Sequence, residues 1–156
     1  MHRLLRAALA AVPVAAGLHA PQALAEVIDE IAFDRIGSEV RVRVRFTGPV
    51  HYLRQAVSAD GGAANVYLQA LEPEAFGVPS PIDEVKHSPG NAAVPPFSVR
   101  VRLDPRCDAA PNPVCIFIQF ERAARYRIRL GEDRRSLLIY FASEEEGRSP
   151  STGKER

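Results

Sequence analysis

The sequence predicts an all-β domain, a sandwich of two small sheets with about seven or eight strands. Three observations predict it. Apolar and charged residues alternate strictly along several short segments. Glycine or proline breaks separate those segments. Beyond residue 25, no stretch of twelve residues keeps the 3.6-residue apolar period of a surface helix.

The clearest segment is Val40-Arg-Val-Arg-Val-Arg-Phe46. Side chains of a strand point to opposite faces in turn, so its valines share one face and Arg41, Arg43 and Arg45 the other. Phe97 to Leu103 repeats the pattern with Arg100 and Arg102, and Tyr126 to Leu130 with Arg127 and Arg129. Ile116 to Phe120 and Leu137 to Phe141 are more continuously apolar, which predicts central strands covered on both sides. Val27 to Phe33, Val66 to Leu71 and a weaker Val50 to Val57 complete the set. Gly48-Pro49, Gly61-Gly62 and Gly131-Glu132-Asp133 supply turns. Residues 72–96 hold six prolines in 25 residues and predict a long connection.

An internal repeat lies over this pattern. Val42 to Tyr52 resembles Ile116 to Tyr126: each has a phenylalanine closing an apolar run and a tyrosine six residues on. An apolar strand follows each after a glycine-containing turn. Two such units would pack apolar faces together as two sheets.

The first 25 residues predict export. Arg3 and Arg6 precede twelve nearly apolar residues, Ala7 to Leu18, and then the small-residue pattern Ala23-Leu24-Ala25. That is the order of a secretory signal cleaved after Ala25, which places the domain in the periplasm. As a helix, twelve residues rise about 18 Å, short of the roughly 30 Å hydrocarbon core, so no stable membrane span is expected after cleavage. The expected domain is residues 26–142, followed by a disordered tail, 143–156, of Ser, Glu, Gly, Pro, Lys, Arg and Thr.

Residues 26–142 carry fifteen basic and fifteen acidic residues. Such balance argues against nucleic-acid binding, which usually needs a basic excess. Cys107 and Cys115 are the two cysteines, and in an exported chain they predict a disulfide. A metal site would need two more ligands, and only His51 and His87 exist after residue 25, at no recognised spacing. No cofactor motif is present. Catalysis finds no support either: there is no Gly-x-Ser-x-Gly elbow, and Asp83-Glu84 reads as a solvated pair in the proline-rich connection.

Ile31-Ala-Phe33, Val40 to Phe46, Gly48-Pro-Val50, Tyr52 and the repeat over Val114 to Phe141 resemble the AMIN domain. This β-sandwich module belongs to periplasmic cell-wall amidases and secretins. The resemblance covers residues 27 to about 142 and implies a non-catalytic targeting role with peptidoglycan or envelope proteins as partners. The proline-rich insertion, the cysteine pair and the lack of an attached catalytic or pore domain depart from the family pattern. The candidate ligand-binding residues come from strand alternation alone: Arg41, Arg43, Arg45, Arg100, Arg102, Arg127 and Arg129. Their alternative role is a solvent face paired across strands to acids. A protein adaptor using an open sheet edge or the connection 72–96 is the competing function.

Overall fold

The computed structural model describes residues 26–77, 81–89 and 93–142. The expected signal peptide and tail lie outside these residues. Nine strands form: β1 (Ile28–Ile36), β2 (Glu39–Phe46), β3 (Val50–Val57), β4 (Ala63–Ala70), β5 (Ile82–His87), β6 (Phe97–Leu103), β7 (Pro113–Phe120), β8 (Tyr126–Leu130) and β9 (Ser136–Phe141). A four-stranded sheet has the order β1-β2-β9-β8, and a five-stranded sheet the order β3-β4-β7-β6-β5. All pairs are antiparallel.

Alternation in the sequence fixes which face is buried. Val40, Val42, Val44 and Phe46 of β2 lie inside, as do Phe97, Val99, Val101 and Leu103 of β6. Val114, Ile116, Ile118 and Phe120 of β7 meet Leu137, Ile139 and Phe141 of β9 in the same core. Fully burying one such side chain stabilises by about 1.5–3 kcal/mol. At one end of the sandwich an aromatic cluster joins the sheets, with Phe120 4.8 Å from Tyr126 and 5.6 Å from Phe141 between ring centroids. The Tyr126 hydroxyl donates to the Ala63 carbonyl at 3.1 Å, satisfying the one polar atom of that cluster's tyrosine.

Two expectations change. The connection 72–96 contains structure: a short 3₁₀ turn, Pro73–Phe76, and strand β5. Phe76 is fully buried, its ring against Gly48, where an added Cβ would lie 2.7 Å from Phe76 Cε2. Proline density hid β5, and its two apolar residues, Ile82 and Val85, are three apart and face opposite ways, so no alternation marks it. Charges pointing inward along this edge strand blunt it against further pairing. Glu84 accepts hydrogen bonds from the Val27 N–H (2.6 Å) and the Ile28 N–H (3.3 Å), and Lys86 donates to the Ile28 carbonyl and pairs with Glu26 at 2.6 Å.

Strands β7 and β9 are central, as expected, but among the described residues only one face of each is covered. Phe117 is 38% exposed on the outer face.

The repeat has a topological counterpart. Exchanging β1, β2, β3 and β4 with β6, β7, β8 and β9 turns β1-β2-β9-β8 into β6-β7-β4-β3, which is the five-stranded sheet without β5. Each half of the chain contributes one hairpin to each sheet. Among the described strands β5 alone departs from this exchange.

Candidate functional site

Strand register sorts the seven arginines onto two opposite faces. Arg41, Arg43 and Arg45 of β2 and Arg127 and Arg129 of β8 share the outer face of the four-stranded sheet, with β9 between the two strands. Arg100 and Arg102 of β6 lie on the outer face of the five-stranded sheet. β2 and β8 are thus not direct neighbours, and their arginines flank Tyr140 and Leu138 of β9. One rung reads Asp34-Arg41-Tyr140-Arg127, and the next Ala32-Arg43-Leu138-Arg129.

Six of the seven arginines have a carboxylate within reach. Asp34 takes Arg41 at 2.8 Å and Arg43 at 3.9 Å, Asp29 takes Arg45 at 3.2 Å, and Glu39 takes Arg127 at 2.6 Å. Asp83 serves both Arg100 (2.9 Å) and Arg102 (3.3 Å). Cross-strand pairing is therefore real on both faces, although exposed pairs of this kind stabilise weakly. Asp83 and Glu84 are residues of strand β5, not of a loop: Asp83 is solvated on the outer face, as expected, whereas Glu84 is turned inward.

Donors remain unspent on the four-stranded sheet. The Nε atoms of Arg41 and Arg43 are buried and have no hydrogen-bond partner within the described residues. Arg129 has no ion pair there. These three arginines border a groove of about 470 Å³ with Tyr140, Asp133 and Ser136. Burial opposes ionisation of Asp133. Hydrogen bonds from the Ser136 hydroxyl and from the Arg135 and Ser136 backbone, with the nearby charge of Arg43, nevertheless hold its carboxyl below the ordinary value. Asp133 therefore stays anionic beside Arg43, its oxygens accepting from the Ser136 hydroxyl (2.6 Å) and the Arg135 N–H (2.9 Å).

The other outer face is built differently. The Cys107–Cys115 disulfide forms as the sequence predicts, with a Cα–Cα separation of 6.2 Å. Cys115 sits on β7 between Tyr67 of β4 and Arg102 of β6. The disulfide draws the β6–β7 loop beside a groove of about 350 Å³, lined also by Asn65, Tyr67, Arg100 and Phe117. From that loop Asp108 reaches Arg54 at 2.6 Å, and the Arg54 guanidinium lies 3.5 Å over the Tyr67 ring. The Ala110 N–H and then Arg54 hold the Asp108 carboxyl below its ordinary value.

Strand alternation alone missed Arg54, Tyr67, Tyr140 and Phe117. A signal existed for the tyrosines, since Tyr67 and Tyr140 are polar-tipped residues at outward parity within apolar runs. His51 and His87 lie on β3 and β5, the two opposite edges of the five-stranded sheet, so they form no pair. Among the described residues no group of three or more His, Cys, Asp or Glu is placed to hold a metal, and no helix is long and apolar enough to cross a membrane.

In comparisons with known proteins, no family model, no curated protein and no solved structure matches this chain. Geometry and strand pattern therefore carry the functional reading.

Proposed function

We propose that this is a non-catalytic, periplasmic binding domain that holds a polymer bearing carboxylates or phosphates, peptidoglycan above all, on the outer face of the four-stranded sheet. One observation carries the reading. Among the described residues Arg129 has no ion pair, and with Arg41 and Arg43, which share the single carboxylate of Asp34, it lines a groove of about 470 Å³. A guanidinium carries five N–H donors and no acceptor, so one without a carboxylate partner leaves donors for an acceptor from outside the chain. Guanidinium presents its donors as a planar fork that matches carboxylate and phosphate oxygens bidentately. The AMIN-like strand pattern agrees with this role, and the signal-like first 25 residues with this compartment.

The test is co-sedimentation of the purified protein with cell-wall sacculi. Replacing Arg43→Gln together with Arg129→Gln should lower the bound fraction at least fivefold and leave the melting temperature within a few degrees. Unchanged sedimentation would remove the arginine face from the account.

A second reading, an adaptor that adds a partner's strand to a sheet edge, has support from β3. Among the described residues this edge strand has no neighbour on one side, and it ends in Val57, which is 45% exposed. The segment 72–96 is weaker support, because Phe76 and β5 are built into the fold. Val57→Pro would block strand addition there without touching the arginines of either face. An adaptor loses its partner in that variant, whereas a wall-binding domain sediments as before.

A further inference from the structure

We propose that the outer face of the five-stranded sheet is a second binding site for the same class of polymer, so that one domain holds two strands on opposite sides. The inference rests on the function proposed above and adds a site and a valency to it. Its basis is the exchange of halves. The operation that turns one sheet order into the other carries β8 onto β3, β9 onto β4 and β2 onto β7. It carries the rung Arg127-Tyr140-Arg41 onto Arg54-Tyr67-Cys115. On both faces an arginine of the edge strand lies over a tyrosine of the next strand, at 4.7 Å for Arg127 on Tyr140 and 3.5 Å for Arg54 on Tyr67. On both, a carboxylate from the equivalent hairpin holds that arginine at 2.6 Å, Glu39 in one case and Asp108 in the other. Each platform adjoins a groove.

The grooves differ in lining, and the difference states the chemistry. Beside Tyr67 the next rung carries Asn65, Phe117 and Arg100 in line. Phe117 is a large apolar side chain 38% exposed in the middle of a sheet, where a β-sandwich usually turns polar residues to solvent. A flat ring of this kind suits the apolar face of a pyranose, and the Asn65 amide offers both donors and an acceptor to sugar hydroxyls and acetamido groups. Arg100 and Arg102 share a single carboxylate, Asp83, which leaves one positive charge unbalanced at the groove. The occupant is thus an acidic glycan. The disulfide gives this groove one fixed wall.

Sheets of a sandwich pack about 10 Å apart, and outward side chains bring the two sites to on the order of 20 Å. A short fragment cannot contact both. Two separate chains can, and holding both gives avidity on a meshwork without any new contact.

The intact, isotope-labelled protein is titrated with soluble disaccharide–peptide fragments released from sacculi by a muramidase, and backbone amides are followed by NMR. Two groups of amides should shift, one on β2 and β9 and one on β4 and β7. Phe117→Thr with Arg100→Gln should weaken the response of β4 and β7 at least tenfold and leave that of β2 and β9 unchanged. Arg43→Gln with Arg129→Gln should do the converse. Threonine suits an exposed strand position, and melting within a few degrees of the parent checks the fold of each variant. Shifts confined to β2 and β9 in the parent overturn the second site and leave the function standing. Absence of any shift, with no sedimentation on sacculi, overturns both.

Discussion

Breaking the disulfide is the perturbation whose size can be worked out most directly. Cys107 and Cys115 are eight positions apart and close a ring of nine residues. On the chain-entropy argument, removing that closure frees the unfolded state by about 2.5 kcal/mol. The domain of residues 26–142 should unfold with an entropy of roughly 0.25 kcal/mol/K, from about 2.1 cal/mol/K per residue. Dividing one by the other gives a fall in melting temperature of about 10 °C. The ring also presents Asp108 to Arg54, but that contact is exposed and adds little. The assay is thermal unfolding by circular dichroism of the parent and of the Cys107→Ser, Cys115→Ser pair, with reductant-treated parent as an independent route to the same state. Both should fall together. A drop under about 3 °C by either route would mean that the ring stays ordered without its covalent closure, and the entropic reasoning would be wrong.

Three further outcomes follow from the packing. Phe76→Ala empties a fully buried site against Gly48 and should cost about 3–5 kcal/mol in urea unfolding; a loss below about 1 kcal/mol would show that the proline-rich segment is detachable. Gly61 has φ +72°, and a Cβ there would lie 2.2 Å from the Ala124 carbonyl oxygen. Gly61→Ala should therefore destabilise by more than about 1 kcal/mol, while Gly62→Ala, whose nearest neighbour is an Asp60 carboxylate oxygen at 3.2 Å, costs less; equal effects would refute the steric argument. Burial, and then the charge of Asp60, push the Tyr126 phenol above its ordinary value. A raised folded-state pKa gives stability that is full below the unfolded value near 10 and lost as pH rises through the folded one. Melting temperature should thus drop more steeply above about pH 10 in the parent than in Tyr126→Phe, and parallel curves would count against it.

The strands that sequence analysis found are those whose alternation is uninterrupted. β6 and β8 have the expected ends, because nothing but the alternation of Phe97 to Leu103 and of Tyr126 to Leu130 decides them. β5 escaped because its register comes from its neighbour. Ile82 to His87 is short, flanked by proline, and pairs with β6 through residues that no local pattern singles out. The arginine faces were half legible. Period-two spacing gave the direction of every arginine, but which ones share a face depends on β2 and β8 flanking β9 and on β6 belonging to the other sheet. Non-local pairing of this kind leaves no trace in a single strand. The stacking of Arg54 on Tyr67 was hidden further by the bulge between Tyr52 and Arg54, which shifts the register of β3 by one residue.

The exchange of halves also governs how the chain can acquire its structure. β2 lies against β9 and β4 against β7, so each hairpin of the first half waits for a strand from the second. Cutting the backbone between β4 and β5 should leave two fragments that are unstructured alone and assemble only when mixed. An architecture so interlaced folds in one concerted and comparatively slow event, governed by contacts far apart along the polypeptide.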